Sequence, residues 1–414
     1  MPTCPVVPLV ASSIVVMIAA TVTAQDSGAG APPLTVRTSV KATGLISRLP
    51  GGAAAPDDPT AGESLLRLRV EPEFRAGSHT TFDMAYEQRL HYSSAPGGGL
   101  AATSMLPPES AAPFRIASLV WRVNEGGKGT WRHEIDRANA QIHVKGADLT
   151  LGRQAIGWGR GVMFTAIDLF APFTPLEVDR EWRPGVDAVR ADIKVSDRSS
   201  FDVVGAFGKT LDRSVFAARA RGYTGALDVE VAGGRRAQDS FGAVTSSAAT
   251  GDAELHGEAA AFRVPSATGH DLVWKVVAGG SYRFPVGAGI LAYAEYHYSG
   301  FGAGRPEDIP ALLATPSFAE RFARGDAQIL SRHAVGVSAS YEASPEIAYA
   351  GQWLHNPRDH SGIVAPAATY TFNDAVSMLG AVYLPYGRAS HEGVLQSEYG
   401  SAPRAGLVQL RWYF

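Results

Sequence analysis

The amino-acid sequence predicts an all-β protein: a transmembrane antiparallel up-and-down β-barrel of about 18 strands, with about 16 as the alternative. Three observations support this fold class. An apolar leader opens the chain, segments of roughly ten residues with alternating polarity fill most of it, and an aromatic-ended strand closes it. A barrel can span a membrane without helices because every backbone N–H and C=O pairs between strands.

The N-terminal segment has the form of a secretory signal peptide. An apolar stretch from Val6 to Ala20 leads to small and β-branched residues ending at Ala24, the pattern that signal peptidase reads. We therefore expect residues 1–24 to be a signal peptide and residues 25–414 to form a single barrel domain. A membrane anchor is the alternative, but the apolar run is short for a span of about 20 residues.

Composition excludes several other classes of protein. Charged residues make up 19% of the chain and the formal net charge is -3, which argues against a nucleic-acid binder with a basic excess. The single cysteine, Cys4, precedes the expected cleavage site, so the mature chain would have no disulfide and no thiol chemistry. After residue 25 no run of 18 apolar residues appears, so no transmembrane helix is expected.

The last segment, 406–414, shows the alternation most clearly. One face carries polar groups, including Gln409 and Arg411, and suits a water-filled lumen. The opposite face is apolar and is expected to anchor the strand in lipid and to carry the C-terminal barrel signal; it consists of Val408, Leu410, Trp412 and Phe414. An edge strand of a soluble sheet is the alternative, but it would leave an unprotected apolar edge.

Short and long connections alternate along the chain, as they do in bacterial barrels with short periplasmic turns and long outer loops. With the C-terminus periplasmic, this order places segment 155–185 on the outer side. Two places are weak: an apparent strand within 114–130 breaks the order, and the alternation fades in 233–253. Residues 310–324 are expected to form a short amphipathic helix in an outer loop, as a lid or a second plug.

Segment 155–185 is irregular yet rich in large aromatic residues and prolines. Irregular backbone cannot face lipid, so this segment must stand outside the barrel or fold into its lumen. Large apolar side chains would be exposed in a solvated loop. We therefore predict a packed loop that folds inward and narrows the interior.

The motifs around this segment resemble those of outer-membrane channel families. They are a strand ending Gly152-Arg153-Gln154, a Trp158-Gly159 pair, the run from Asp168 to Leu176, and the strand entry Gly185-Val186-Asp187-Ala188. With these motifs the chain resembles the alginate-export-type channels and porin-like families. The resemblance implies an outer-membrane channel but does not imply a substrate. The alginate-export pattern would imply an Arg/Lys-dominated constriction.

The charges of this chain depart from that pattern because its candidate constriction carries five Arg and five acidic residues. The candidate pore-lining residues are Arg153, Arg160, Asp168, Glu177, Asp179, Arg180, Glu181, Arg183, Asp187 and Arg190. Facing rows of opposite charge can orient polar solutes and tune ion selectivity. The alternative is that these groups pair with one another and hold the loop down.

These features lead us to expect an outer-membrane channel, a porin or an exporter, that passes polar or charged small solutes or a polymer. A barrel enzyme acting on lipid or surface peptide and a non-conducting surface-binding barrel are the alternatives. No catalytic residue, cofactor or metal site is predicted. Expected partners are outer-membrane lipid, lipopolysaccharide and the barrel-assembly machinery, with no nucleic acid.

Overall fold

A computed structural model describes residues 33–50, 60–94, 105–106, 112–126, 128–266 and 269–414. The expected signal peptide and its cleavage site lie outside these residues. The described chain forms nineteen strands in one antiparallel sheet. They are β1 (Leu34–Arg48), β2 (Thr60–Ala76), β3 (Thr80–Ser93), β4 (Val120–Gly126), β5 (Gly129–Val144), β6 (Ala147–Gln154), β7 (Val186–Ser196), β8 (Ser199–Ala206), β9 (Val215–Thr224), β10 (Leu227–Arg236), β11 (Asp239–Thr250), β12 (Ala253–Ser266), β13 (Gly269–Phe284), β14 (Ile290–Ser299), β15 (His333–Glu342), β16 (Ile347–Asn356), β17 (Ser361–Asn373), β18 (Val376–Tyr386) and β19 (Arg404–Tyr413).

Eighteen of these strands close a barrel, which confirms the predicted fold class and strand number. Each barrel strand pairs with its neighbours along the chain, and β19 pairs with β1 from Ser39↔Tyr413 to Arg48↔Arg404. Closure leaves no free sheet edge around the barrel.

The nineteenth strand, β4, explains why the order of connections breaks within 114–130. The lower part of β5 pairs with β6, whereas its upper part pairs with β4, for example Val120↔Glu134. Because β4 fills the edge of β5 above the end of β6, it adds a strand without adding a crossing. The fading alternation in 233–253 covers the end of β10 and the whole of β11, where small residues occupy both faces.

The two faces of the barrel follow the predicted alternation. On β19 the apolar residues Val408, Leu410, Trp412 and Phe414 are exposed on the outside, whereas Leu407 and Gln409 are buried inside. Exposed aromatic residues form two outer bands, one near each end of the strands. The band near the short turns contains Phe74, Phe82, Phe201, Tyr282, Phe284, Tyr370, Phe372, Trp412 and Phe414. The band near the long loops contains Tyr92, Trp121, Trp131, Phe216, Trp274, Tyr296 and Trp353.

The long loops lie at one end of the barrel and the short turns at the other, as the sequence predicts. Segment 300–332, here called the outer loop, contains two short helices, α1 (Ile309–Ala314) and α2 (Pro316–Ala323). They fall where an amphipathic helix was predicted, and α2 buries Phe318. Among the described residues, no helix is both long enough and apolar enough to cross a membrane.

Candidate functional site

Residues 155–185, here called the inner loop, lie inside the barrel. The loop leaves β6 and touches β8, β10, β12, β14, β16, β1, β2 and β5 in turn before it enters β7. It therefore makes a circuit of the inner wall, with one fold-back where the carbonyl of Leu169 accepts a hydrogen bond from Arg236. The inward folding predicted from the aromatic residues is the arrangement observed.

The carboxylate of Glu258 on β12 fixes the backbone of the loop. It accepts hydrogen bonds from the backbone N–H of Gly161 at 2.8 Å and Ala166 at 2.6 Å, with Ile167 at 3.3 Å. The N–H of Arg160 and the hydroxyl of Thr165 also donate to it. Glu258 is 2% exposed, so its carboxylate is buried against the loop and its charge is balanced by these donors.

The glycines of segment 157–161 allow this close approach. At Gly159 the backbone has φ of 103°, and a Cβ atom there would lie 2.5 Å from the Thr165 hydroxyl oxygen. At Gly161 a Cβ atom would lie 1.8 Å from the carbonyl oxygen of Phe164. A side chain at either position would push the loop away from Glu258.

A second wall carboxylate, Glu295 on β14, holds the next stretch of the loop. It accepts hydrogen bonds from the N–H groups of Val162 at 2.5 Å, Met163 at 2.9 Å and Phe164 at 3.0 Å. His256 on β12 lies 3.0 Å from the same carboxylate. Two glutamates therefore fasten the backbone of residues 160–167 to one side of the barrel.

On the opposite side, acidic residues of the loop meet basic residues of the wall. Asp179 receives the ammonium of Lys41 at 2.7 Å and the guanidinium of Arg67 at 2.9 Å. Glu181 accepts from Lys41 at 2.5 Å and from the hydroxyl of Tyr413 at 2.7 Å. These contacts join the loop to β1, β2 and β19.

Trp182 completes this basic patch. The Lys41 ammonium lies 3.6 Å from the Trp182 ring centroid, and the Arg67 and Arg69 guanidinium carbons lie 4.8 Å and 5.1 Å from it. The negative face of an aromatic ring attracts cations, so Trp182 adds a stabilising contact that is not an ion pair.

A third group of charges lies on β7 to β10. Arg160 of the loop donates to Glu230 at 2.8 Å and also contacts Asp228. Arg190 on β7 donates to Asp202 on β8 at 3.0 Å and 2.9 Å. The side chains of Arg160 and Arg190 remain 29% and 26% exposed, so they present positive charge to the interior beside their acidic partners.

Other predicted charges are used within the loop itself. Arg183 contacts Asp168 and donates to the carbonyl of Ala171 at 2.7 Å. Burial raises the pKa of Asp168, and the neighbouring Arg183 opposes this rise. Arg180 donates to the carbonyls of Val162 at 2.9 Å and Pro175 at 2.5 Å. These bonds hold the inner loop in its fold. For Asp168, Arg180 and Arg183 they agree with the alternative that the charged groups bind within the loop and hold it down.

Glu177 carries a raised pKa because the effect of burial on its carboxyl outweighs the groups that stabilise its charge. Its carboxylate accepts a hydrogen bond from the N–H of Thr174 at 3.2 Å. Burial raises the pKa of Glu177 to about 7, while the Thr174 N–H and Arg180 act in the opposite direction. The inner loop therefore contains a carboxyl group that changes its charge near neutral pH.

Arg153 and Asp187 lie apart from the other eight predicted residues. Their carboxylate and guanidinium groups pair at 2.7 Å, and Arg153 also donates to the carbonyls of Ile135 and Ala117. On β6, Thr150 is the register partner of Arg190 on β7. Arg153 is three residues from Thr150, so its side chain leaves the strand on the opposite face. This pair closes the upper edge of β6 and β7.

Sequence reasoning missed most of the wall residues that hold the loop. None of Lys41, Arg67, Glu258 and Glu295 is among the predicted pore-lining residues. A β-bulge at Asp136 turns both Asp136 and Arg137 toward the lumen. Strict alternation along β5 would predict that only one of these two consecutive residues faces the lumen. The detectable feature was a charged residue at mid-strand on the polar face, a position that is costly to fill without a partner.

The outer loop lies over part of the inner loop. Gln328 accepts from the N–H of Thr165 at 2.8 Å and donates to the carbonyl of Phe173 at 2.9 Å. Arg321 forms a two-bond contact with Asp239 at the tip of β11, and Asp326 pairs with Arg236. The outer loop is therefore held by the ends of β10 and β11, by the inner loop itself and, near β15, by Glu398 and Asn356.

Comparison with known proteins identifies this architecture. No family model and no curated protein matches the sequence. The structure is similar to OccK9 (OpdG) of Pseudomonas aeruginosa, with a TM-score of 0.55, 9% identity, and 92% of this chain and 98% of that chain covered. It is also similar to a BenF-like porin from Pseudomonas fluorescens Pf-5, with a TM-score of 0.53, 9% identity, and the same coverage of both chains.

A third solved structure, Acinetobacter baumannii OccAB4, has a TM-score of 0.51 and 8% identity, with 92% of this chain and 98% of that chain covered. At this level of identity the similarity establishes the fold, which is that of porins. The porin-like part of the sequence resemblance is therefore confirmed, whereas the alginate-export part is not.

Proposed function

We propose that this protein is an outer-membrane channel that passes small polar or charged solutes through a mixed-charge lumen. The carrying observation is the inner loop, which narrows the interior but leaves polar wall residues half-exposed below it. These residues include Arg190, Asp192, Arg221, Glu254, Ser281, Tyr293 and Ser338. A wall of this composition favours water inside the barrel.

The outer surface supports placement in a membrane. An apolar exterior bounded by two aromatic bands matches the lipid-facing surface of outer-membrane barrels. The short turns then face the periplasm and the long loops face outward. The similarity to a BenF-like porin supports the same placement in an outer membrane.

The charge pattern favours a pore of mixed character over an anion-selective one. Arg160 and Arg190 are partly exposed, but each is beside carboxylates of the wall. Such neighbouring opposite charges create a field across the lumen that orients dipolar solutes. The narrowing by the inner loop also favours small solutes over a polymer. A passive channel needs no catalytic group.

Planar-bilayer recording tests this proposal. Purified protein is expected to give discrete conductance steps in potassium chloride, and a silent bilayer would overturn the channel function. In a salt gradient, Arg160→Ala is expected to shift the reversal potential toward cation preference, because Asp228 loses its ion pair with Arg160 while Glu230 keeps Arg219. Arg183→Ala is the comparison: it removes the same charge from a side chain that is bound within the loop, so a smaller shift is expected.

A further inference from the structure

A cavity of about 460 Å³ lies at the short-turn end of the barrel, below the inner loop. Its wall is formed by β1, β2, β3 and β5 near the turns that follow β2 and β5. Six charged residues line it, three of each sign: Arg37, Arg75, Arg137, Glu71, Glu73 and Asp83. The site residues predicted from sequence are not among them.

The charges follow a definite order across these four strands. Glu73 on β2 lies directly opposite Asp83 on β3 in the strand register. Like charges at directly opposed positions repel. The two arginines lie in the neighbouring inward-facing row, where Arg37 on β1 is opposite Glu71 and Arg137 on β5 is opposite Ala85. Adjacent strands are about 4.8 Å apart, so positive groups about 14 Å apart stand beside the acidic pair, one on each side of it.

The two flanking arginines have unused donors. Within the part of the chain that the structure describes, Arg37 and Arg137 form no hydrogen bond or ion pair, and the Nε of Arg137 is buried without a partner. The acidic residues are each satisfied only in part: Glu71 binds Arg69 at 3.0 Å, Glu73 binds Arg75 at 2.9 Å, and Asp83 accepts from Gln141 at 2.7 Å. Donors for a carboxylate thus lie next to acceptors for an ammonium group.

The geometry points to a binding site for zwitterionic solutes that carry one ammonium group and one carboxylate, such as amino acids and short peptides. The ammonium group binds between Glu73 and Asp83 and relieves their repulsion. The carboxylate binds Arg37 or Arg137 through a bidentate contact. This inference rests on the proposed channel function. In such a channel, the site would bind the solute on the periplasmic side of the inner loop.

A singly charged ligand fits this cavity less well. A carboxylate alone would gain an arginine but would lie beside an unrelieved acidic pair, and an ammonium alone would leave both arginines unpaired. The charges lining the cavity sum to zero when His143 is neutral, so a neutral dipolar ligand adds no net charge to it.

Saturation-transfer NMR on the detergent-solubilised full chain tests the site without requiring conduction. The probe is alanyl-alanine, compared with N-acetyl-alanine, which keeps only the carboxylate, and alanine amide, which keeps only the ammonium group. We expect the dipeptide to bind about tenfold more tightly than either singly charged probe, since each loses one charge-assisted contact.

Variants locate the binding. Arg37→Gln with Arg137→Gln, and separately Glu73→Gln with Asp83→Asn, are expected to weaken dipeptide binding about tenfold. The control is Arg283→Gln, which removes an exposed arginine at the same end of the barrel on β13, away from the cavity. Circular dichroism checks that each variant is folded.

The outcomes separate this inference from the channel proposal. Conductance steps with a dipeptide affinity no greater than that of N-acetyl-alanine, or with equal binding by all variants, would overturn the zwitterion site and leave the channel intact. Tight binding of alanine amide alone would replace it with a cation site. Dipeptide binding that depends on the four residues in a protein that conducts no ions would support the site and overturn the channel.

Discussion

The inner loop and the outer loop are held in different ways. The inner loop is bound to the barrel wall on both sides, by Glu258 and Glu295 on one side and by Lys41 and Arg67 on the other. The outer loop is bound to the ends of β10 and β11, to the inner loop and, close to β15, to Asn356 and Glu398. The inner loop is therefore fixed around the closed wall, whereas the contacts of the outer loop are concentrated in its second half, residues 321–331.

The contacts of the two loops also differ in burial. Glu258 and Lys41, which hold the inner loop, are 2% and 1% exposed, whereas in the outer loop the pair of Asp326 with Arg236 is buried but the side chain of Arg321 is 14% exposed. Breaking a buried ion pair or network costs roughly 3–5 kcal/mol because it leaves an uncompensated charge, whereas an exposed pair is worth roughly 1 kcal/mol or less. The comparison therefore predicts a fixed inner loop and a movable outer loop.

The largest effect is expected for Glu258→Gln. The amide turns one acceptor into a donor that faces loop N–H groups, which we expect to cost about 3 kcal/mol of loop attachment. Trypsin can cleave the released loop after its arginines, and cleavage follows the population of the open form, so the rate should rise roughly a hundredfold.

Glu254→Gln is the matched control for this variant. Glu254 lies on the same face of β12 and has no hydrogen bond or ion pair with any residue that the structure covers. In the Glu254→Gln variant, trypsin should cleave the inner loop at the same rate as in the wild type. Equal rates in both variants would refute the idea that Glu258 fastens the loop.

A smaller effect is expected for Arg321→Met. It removes the contacts with Asp239 and should release the outer loop, with cleavage after Arg324 increasing about tenfold. Cleavage within the inner loop should not change, because its wall contacts remain. The exposed Arg305 supplies the control variant, Arg305→Met, which should leave both rates unaltered. Simultaneous release of both loops would contradict the difference drawn between them.

The smallest effect is a pH dependence of the inner loop. The pKa of Glu177 is raised to about 7 from 4.5, so the protonated carboxyl stabilises the folded loop at low pH. That contribution is complete below the unfolded pKa and is lost as pH rises through about 7. Trypsin cleavage of the loop, corrected with a small peptide substrate, should increase a few-fold from pH 5 to pH 8. Glu177→Gln should abolish the increase, and a slope that persists in this variant would assign it to another group.

Sequence alone predicted the fold because its governing constraints are local. Period-two alternation, turn residues and the faces of β19 depend on neighbours along the chain, and each was read correctly. The inward folding of 155–185 followed from large aromatic residues that would otherwise be exposed. The same reasoning could not resolve β4, because it depends on where β6 ends relative to β5.

The partners of the loop charges were beyond that reasoning. Asp179 and Lys41 are 138 residues apart, and Gly161 and Glu258 are 97 apart. These contacts depend on barrel closure and on strand register. The alternation within one segment gives no information about either. For the same reason, Arg153 could not be distinguished from Arg160, although Arg153 pairs with Asp187 at the upper edge of β6 and β7 and Arg160 contacts Glu230 on β10.

Single-channel conductance of a chain lacking residues 160–180 tests the central claim most directly, since this segment carries the contacts with Glu258, Glu295 and Asp179's basic partners. Circular dichroism and barrel-like gel mobility would verify that the shortened chain folds. We expect a conductance several times that of the wild type, with no change for Arg305→Met. A shortened, folded barrel with wild-type conductance would contradict this expectation, because the inner loop would then not be the part of the molecule that limits passage.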